Sequence, residues 1–285
     1  MSDIISGNCY NVGDTNGSRA IDSPLSTEGC NMPAKGSKLG SAYLTHPGRE
    51  RELNEDSLYA NDELGLFMVA DGMGGHNAGE VASAIAVTLV PTLIEEELAT
   101  SQDLVELVRE AISTSNQVVL EKSLNNSAWS EMGTTFVLAL FTDDKVVTAH
   151  VGDSRAYWIR KGEIMQLTQD HTFVAEWLRE GLITKEEART HGQRHGLIEA
   201  LGVADEVESE VAVWPREQEG CILLCSDGLT DMLEDEEILA IVESSSDPDT
   251  ACSELVDAAN SKGGLDNITV ILVCPEQRAA GSDLE

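Results

Sequence analysis

The chain repeatedly runs an apolar segment straight into an aspartate. Phe67-Met68-Val69-Ala70 delivers Asp71, and Ile222-Leu223-Leu224-Cys225-Ser226 delivers Asp227. Asp266-Asn267 stands at the head of Ile268-Thr269-Val270-Ile271-Leu272-Val273. A fourth acidic motif, Arg51-Glu52-Leu53-Asn54-Glu55-Asp56, leads into a short strand pattern, Ser57 to Ala60. A carboxylate at the margin of an apolar core is costly without a compensating partner. With 18 Lys and Arg against 51 Asp and Glu, ion pairs cannot serve all four sites. One shared cation can, if the fold brings strand ends from both halves of the chain together.

The pattern of elements constrains that fold. Strands are expected at residues 40–45, 57–60, 64–70, 134–141, 146–151, 156–159, 207–213, 221–225 and 268–274. Helical spacing occupies 78–98, 103–124, 234–243 and 249–262, with two short helical patterns at 173–180 and 185–190. Strand blocks separated from helix blocks argue for an α+β fold with antiparallel sheets. Residues 1–37 are rich in Gly, Ser, Asn and Asp without periodicity. They are expected to be a disordered or artefactual tail, with Met32 as an alternative translation start. The folded domain is expected at 38–276, with an insert at about 171–202 and a short polar tail at 277–285.

A net charge of −33 repels nucleic acid and anionic membrane. No charged start precedes an apolar stretch, and no apolar run approaches the roughly 18 residues of a membrane span. The expectation is a cytoplasmic monomer that contacts neither nucleic acid nor membrane. Cysteines stand at 9, 30, 221, 225, 252 and 274, without the two-residue spacing of a zinc pair. Cys221 and Cys225 share one face of a strand. The set is expected to be core thiols of a reduced inventory.

Taken singly, each aspartate reads as an ordinary turn residue. Together they form an oxygen donor set without Cys or His, which suits Mg²⁺ or Mn²⁺ and not zinc. Gly72 has no side chain, so its carbonyl can approach a ligand closely. Two such ions sharing Asp71 can activate a bridging water. Arg51 can grip phosphate oxygens in a fork, or pair locally with Glu55 or another acid. Metal, water and a phosphate-gripping arginine together make a phosphoester hydrolase.

At these residues the chain resembles the PPM-type (type 2C) metal-dependent serine/threonine protein phosphatases, bacterial members above all. The resemblance rests on Arg51-x-x-Asn54-Glu55-Asp56, Asp71-Gly72-Met73-Gly74-Gly75-His76, Gly133-Thr134-Thr135, Val151-Gly152-Asp153-Ser154-Arg155-Ala156, Leu167-Thr168-x-Asp170-His171, Ser226-Asp227-Gly228-Leu229-Thr230-Asp231 and Asp266-Asn267-Ile268-Thr269. These motifs stand in the family's order across residues 40–274. The resemblance implies a four-layer α/β/β/α sandwich of two antiparallel sheets flanked by helix pairs. It implies two Mn²⁺ or Mg²⁺ ions held by Asp56, Asp71, the Gly72 carbonyl, Asp227 and Asp266, with a weaker third at Asp153 and Asp227. Glu55 is expected to orient a water, Asn267 to support the site, Arg51 to bind phosphate and His76 to act as general acid. His150 and His171 are expected to be structural, and His46, His191 and His195 to be surface or loop residues. The insert at 171–202 matches the family's flap, where Gly192 replaces a frequent proline and is expected to loosen it. The implied function is hydrolysis of phosphoserine and phosphothreonine in proteins phosphorylated by a serine/threonine kinase. A catalytically inactive phosphoprotein-binding scaffold and a small-molecule phosphoesterase are the alternatives.

Overall fold

The structure, a computed structural model, describes residues 39–74, 78–216 and 219–275. The expectations for residues 1–37, for 277–285 and for His76 lie outside the described residues. The chain opens with β1 (Leu39–His46), β2 (Asp56–Asn61) and β3 (Leu66–Met73), followed by the helices α1 (Gly79–Glu97) and α2 (Leu104–Asn125). A meander follows: β4 (Gly133–Thr134), β5 (Phe136–Phe141), β6 (Lys145–Val151), β7 (Arg155–Arg160) and β8 (Glu163–Gln166). The flap carries α3 (Phe173–Arg179) and α4 (Lys185–Thr190). The chain closes with β9 (Glu210–Pro215), β10 (Cys221–Cys225), α5 (Asp227–Thr230), α6 (Asp235–Ser244), α7 (Pro248–Ser261) and β11 (Ile268–Pro275).

Two antiparallel sheets result, one ordered β1-β11-β10-β7-β8 and one ordered β2-β3-β5-β6-β9, with β4 on the end of β3. Side-chain alternation on β3 explains the layering. Phe67 and Val69 point into a core shared with Ala156, Trp158, Ile222, Leu224 and Ile271 of the other sheet. Leu66, Met68 and Ala70 point the opposite way, onto Val87, Val90, Ile94, Val108 and Ile112 of α1 and α2. On β10 and β11, Leu223, Cys225, Val270 and Leu272 pack against Ile238 of α6 and Leu255, Val256 and Ala259 of α7. Three apolar layers between four layers of backbone make the α/β/β/α sandwich. Among the described residues, no helix is long and apolar enough to cross a membrane.

Asp103 fixes the start of α2, its side chain accepting hydrogen bonds from the Val105 and Glu106 amides. The expected strand at 134–141 is broken at Thr135 into β4 and β5: Leu66 to Val69 of β3 pair with β5, and Gly72 and Met73 pair with β4. β8 and α5 are additions: Asp227 opens a short helix where the sequence suggested a turn.

The cysteines are a correction. Cys221 and Cys274 form a disulfide instead of remaining two core thiols. Antiparallel β10 and β11 place Ile222 opposite Val273, so the next residues outward, Cys221 and Cys274, face each other. Cys225 and Cys252 are buried thiols as expected, and burial pushes each pKa up to about 12.

Candidate metal centre

The acidic strand ends meet at one end of the sandwich. β2 and β3 pair so that Asp56 lies directly opposite Asp71. Asp227 begins α5 beyond β10, and Asp266 precedes β11, the neighbour of β10. Asp153 lies in the turn between β6 and β7, the two strands that continue from one sheet into the other. Asp71, Asp153, Asp227 and Asp266 line one cavity of about 400 Å³ together with Arg51, Glu55 and Gly72.

Each carboxylate is held by the fold. Asp56 is almost fully buried. Its Oδ2 accepts hydrogen bonds from Ser226 Oγ at 2.8 Å and Thr269 Oγ1 at 2.6 Å, while its buried Oδ1 has no partner. The backbone of Asp71 is fixed on both sides. Its N–H donates to Thr135 Oγ1 at 3.1 Å, and its carbonyl accepts from Thr134 Oγ1 and from the Thr135 amide, each at 2.9 Å. Gly72 is required by close approach: a Cβ there would lie 2.3 Å from the Gly79 carbonyl oxygen and 2.5 Å from that of Glu55. Asp227 Oδ1 is a second buried oxygen without a partner.

The electrostatics are those of crowded acids. Burial, then Asp56, Asp227, Asp153 and Asp266, hold the Asp71 pKa well above the usual carboxylate range. Burial and then Asp227 raise Asp153, and the same pair raises Asp266 against the pull of Arg51. Asp56 is lifted to about 7 by burial, although the Thr269 and Ser226 hydroxyls oppose the shift. Burial and then Glu80 raise Glu55. Five carboxylates that repel one another, two of them with orphaned buried oxygens, suit a divalent cation pair with oxygen ligands. The donor set therefore fits the implied metals.

Arg51 reaches across the chain to Asp266, Nη2 to Oδ2 2.7 Å, with the guanidinium half exposed. That ion pair spans distant sequence, unlike a local pair with Glu55. Asn267 clamps the loop that carries Glu55: its Oδ1 accepts from the Glu55 amide at 2.8 Å. Its Nδ2 donates to the carbonyls of Pro47 at 3.0 Å and Leu53 at 2.9 Å. His150 is buried, with Nε2 2.6 Å from the Gln169 carbonyl. Its ring lies 4.5 Å from that of His171, and burial lowers its pKa.

Several residues at the site were not singled out from the sequence. Ser226, Thr269 and Thr135 stand inside the motifs, and their hydroxyls orient the acids. His195 is the expected exposed loop residue, and in addition its Nδ1 lies 3.4 Å from Asp227 Oδ2 and its Nε2 3.4 Å from Asp231 Oδ2. The Asp227 carboxylate raises its pKa. Only the folding-back of the flap reveals this contact. Arg155 holds Asp170 in a fork, Nε to Oδ1 2.8 Å and Nη2 to Oδ2 2.6 Å.

Comparison with known proteins agrees with this geometry. Residues 47–259 match the family model described as Protein phosphatase 2C. A serine/threonine phosphatase, stp, of Listeria monocytogenes is 39% identical over 250 residues, 86% of this chain and 99% of that protein. The crystal structure of Stp1 from Staphylococcus aureus superposes with a TM-score of 0.80 at 34% identity, covering 88% of this chain and all of the other. The catalytic domain of the phosphatase PstP, solved with two manganese ions, gives a TM-score of 0.75 at 35% identity, covering 83% of this chain and 97% of the other.

Proposed function

Because the chain belongs to the protein phosphatase 2C family, we propose that its five converging aspartates hydrolyse phosphoserine and phosphothreonine in proteins. The enzyme is a metal-dependent serine/threonine protein phosphatase that uses Mn²⁺ or Mg²⁺. Bound at this site, the cations supply Lewis acidity to the phosphoryl oxygens and lower the pKa of water.

The residues then have distinct tasks. Asp71, whose carboxylate feels the charges of Asp56, Asp227, Asp153 and Asp266, would hold the cations together with Asp56, Asp227, Asp266 and the Gly72 carbonyl. Asp153 and Asp227 serve a weaker third position. Glu55, whose carboxylate is raised by burial and Glu80, orients the attacking water. Arg51, half exposed beside Asp266, would grip two phosphate oxygens in a fork. His76 donates a proton to the departing serine or threonine oxygen. Attack is direct and in line, with no phosphoenzyme. The substrates are phosphorylated proteins, and we place the enzyme as a cytoplasmic monomer opposing a serine/threonine kinase.

The single observation that supports this reading is the pair of orphaned buried oxygens, Asp56 Oδ1 and Asp227 Oδ1, within one acidic cluster. The test is Mn²⁺-dependent phosphate release from a phosphothreonine peptide. Asp71→Asn is expected to lower kcat by at least ~100-fold and to weaken Mn²⁺ binding measured by calorimetry. Wild-type protein that binds Mn²⁺ yet releases no phosphate would sink the proposal.

A further inference from the structure

We propose that the cleft between the flap and the sandwich selects phosphoproteins bearing a second anionic group close to the scissile phosphate. The inference rests on the phosphatase reading and names the substrate class of the same site.

A cleft of about 640 Å³ opens beside the metal centre and shares Asp153, Asp227 and Asp231 with it. Its two walls carry opposite charge. The flap contributes Arg179, Lys185, Arg189, Arg194 and His195, and no flap carboxylate lines it. The flap's own acids, Glu176, Glu180, Glu186, Glu187 and Glu199, all lie outside the lining. In a chain with 18 Lys and Arg in total, four of them on one wall is a concentration of scarce charge. Val174, Leu178, Met232 and Leu265 give the cleft apolar surface for neighbouring side chains.

The facing acids meet only part of this wall, Arg194 and His195. Asp170 is taken by the Arg155 fork. Asp153 and Asp227 belong to the cation ligand set. Asp231 is met by His195 at 3.4 Å and by Arg194 at 3.9 Å, and Asp235 is the remaining acid of the lining. Arg189 reaches out to Glu234 at 2.7 Å and ties α4 to the sandwich. Among the described residues Arg179 pairs along its own helix, with Glu176, and Lys185 stands at the start of α4. These two are placed to meet a carboxylate or a second phosphate on a peptide whose phosphothreonine occupies the metal centre.

The experiment compares kcat/KM, with Mn²⁺, on phosphothreonine peptides of one length. One carries neutral neighbours, one carries an aspartate moved stepwise along either side, and one carries a second phosphothreonine. At the preferred position, the anionic peptides are expected to exceed the neutral one by about tenfold. That ratio is expected to fall towards unity in Arg179→Glu/Lys185→Glu, and partly in the milder Arg179→Gln/Lys185→Gln. It is expected to persist in Lys145→Glu/Lys161→Glu, which makes the same charge change at exposed positions outside the cleft, the start of β6 and the turn between β7 and β8. A gain confined to the doubly phosphorylated peptide supports the cleft with phosphate as its ligand. No gain at any position overturns the inference, as does a ratio untouched by the flap variants or lost equally in the remote pair. Absence of hydrolysis of every peptide would count against the phosphatase reading instead.

Discussion

Asp56 shows how a single side chain is both prepared and destabilised for metal. Its folded pKa of about 7 stands above the ordinary aspartate value of 3.8, raised by burial. The folded protein therefore keeps a proton that the unfolded chain has released throughout that window. Metal-free protein is expected to lose stability as pH rises from about 4 to about 7, because the folded state binds more protons there. Thermal melts in chelator across that range check the sign. The gain in melting temperature on adding Mn²⁺ is expected to be larger at the upper end, where fewer protons compete. Ser226 is the second test at this scale. Its Oγ donates to Asp56 and accepts from the Thr269 amide at 3.0 Å. Ser226→Ala is expected to destabilise the fold by about 1–3 kcal/mol and to weaken Mn²⁺ binding by ~10-fold or more. Unfolding in urea and calorimetric Mn²⁺ titration measure the two effects; unchanged affinity would deny Ser226 its orienting role. Asp71, Asp227 and Asp266 were legible in the sequence because each stands at the end of an apolar run, and Asp56 because a charged motif there leads into a strand. Their hydroxyl partners were not, since Ser226 meets Asp56 across 170 residues.

At the scale of elements, β10 carries the site and a large share of the core. Leu223 is fully buried between Tyr157 and Leu272 across the sheet. Leu223→Ala is expected to cost about 2–5 kcal/mol, read from the urea midpoint at constant m. The disulfide at the far end of β10 closes a loop of 53 residues. Cys221→Ser/Cys274→Ser is expected to lose about 2–4 kcal/mol while leaving Mn²⁺ affinity unchanged. Peptide mapping without reductant should recover the linked pair from wild type, and free thiols at both positions would remove the bond from the account. Periodicity located most elements, α2 to within a residue at each end. It missed the break at Thr135, because the pairing of β3 with two successive strands is a property of the sheet. It also missed α5, whose four residues are too few to show a period. The cysteines misled for a related reason: Cys221 and Cys225 share a face, as their spacing says, but only strand pairing brings Cys274 opposite Cys221.

Over the whole molecule, a net charge of −33 opposes both compaction and approach of phosphorylated substrates. Raising salt from about 0.01 M to about 1 M, which shortens the screening length from about 30 Å to about 3 Å, is expected to raise the melting temperature of metal-free protein. A fall would show that local ion pairs, such as those of Arg51 and Arg155, outweigh the global repulsion. The sequence by itself determined the α+β class through apolar periodicity, pointed to an oxygen-only donor set through strand-end aspartates, and carried the family resemblance, with the layered sandwich it implies, through ordered motifs, because all three are local in the chain. Tertiary structure alone decided that Arg51 meets Asp266, that His195 of the flap meets Asp227 and Asp231, and that the flap turns its cations inward. Those contacts join residues separated by up to 215 positions. Nothing in local spacing fixes such distances: they follow from how two twisted sheets stack and from which strand ends the stack brings to the same edge.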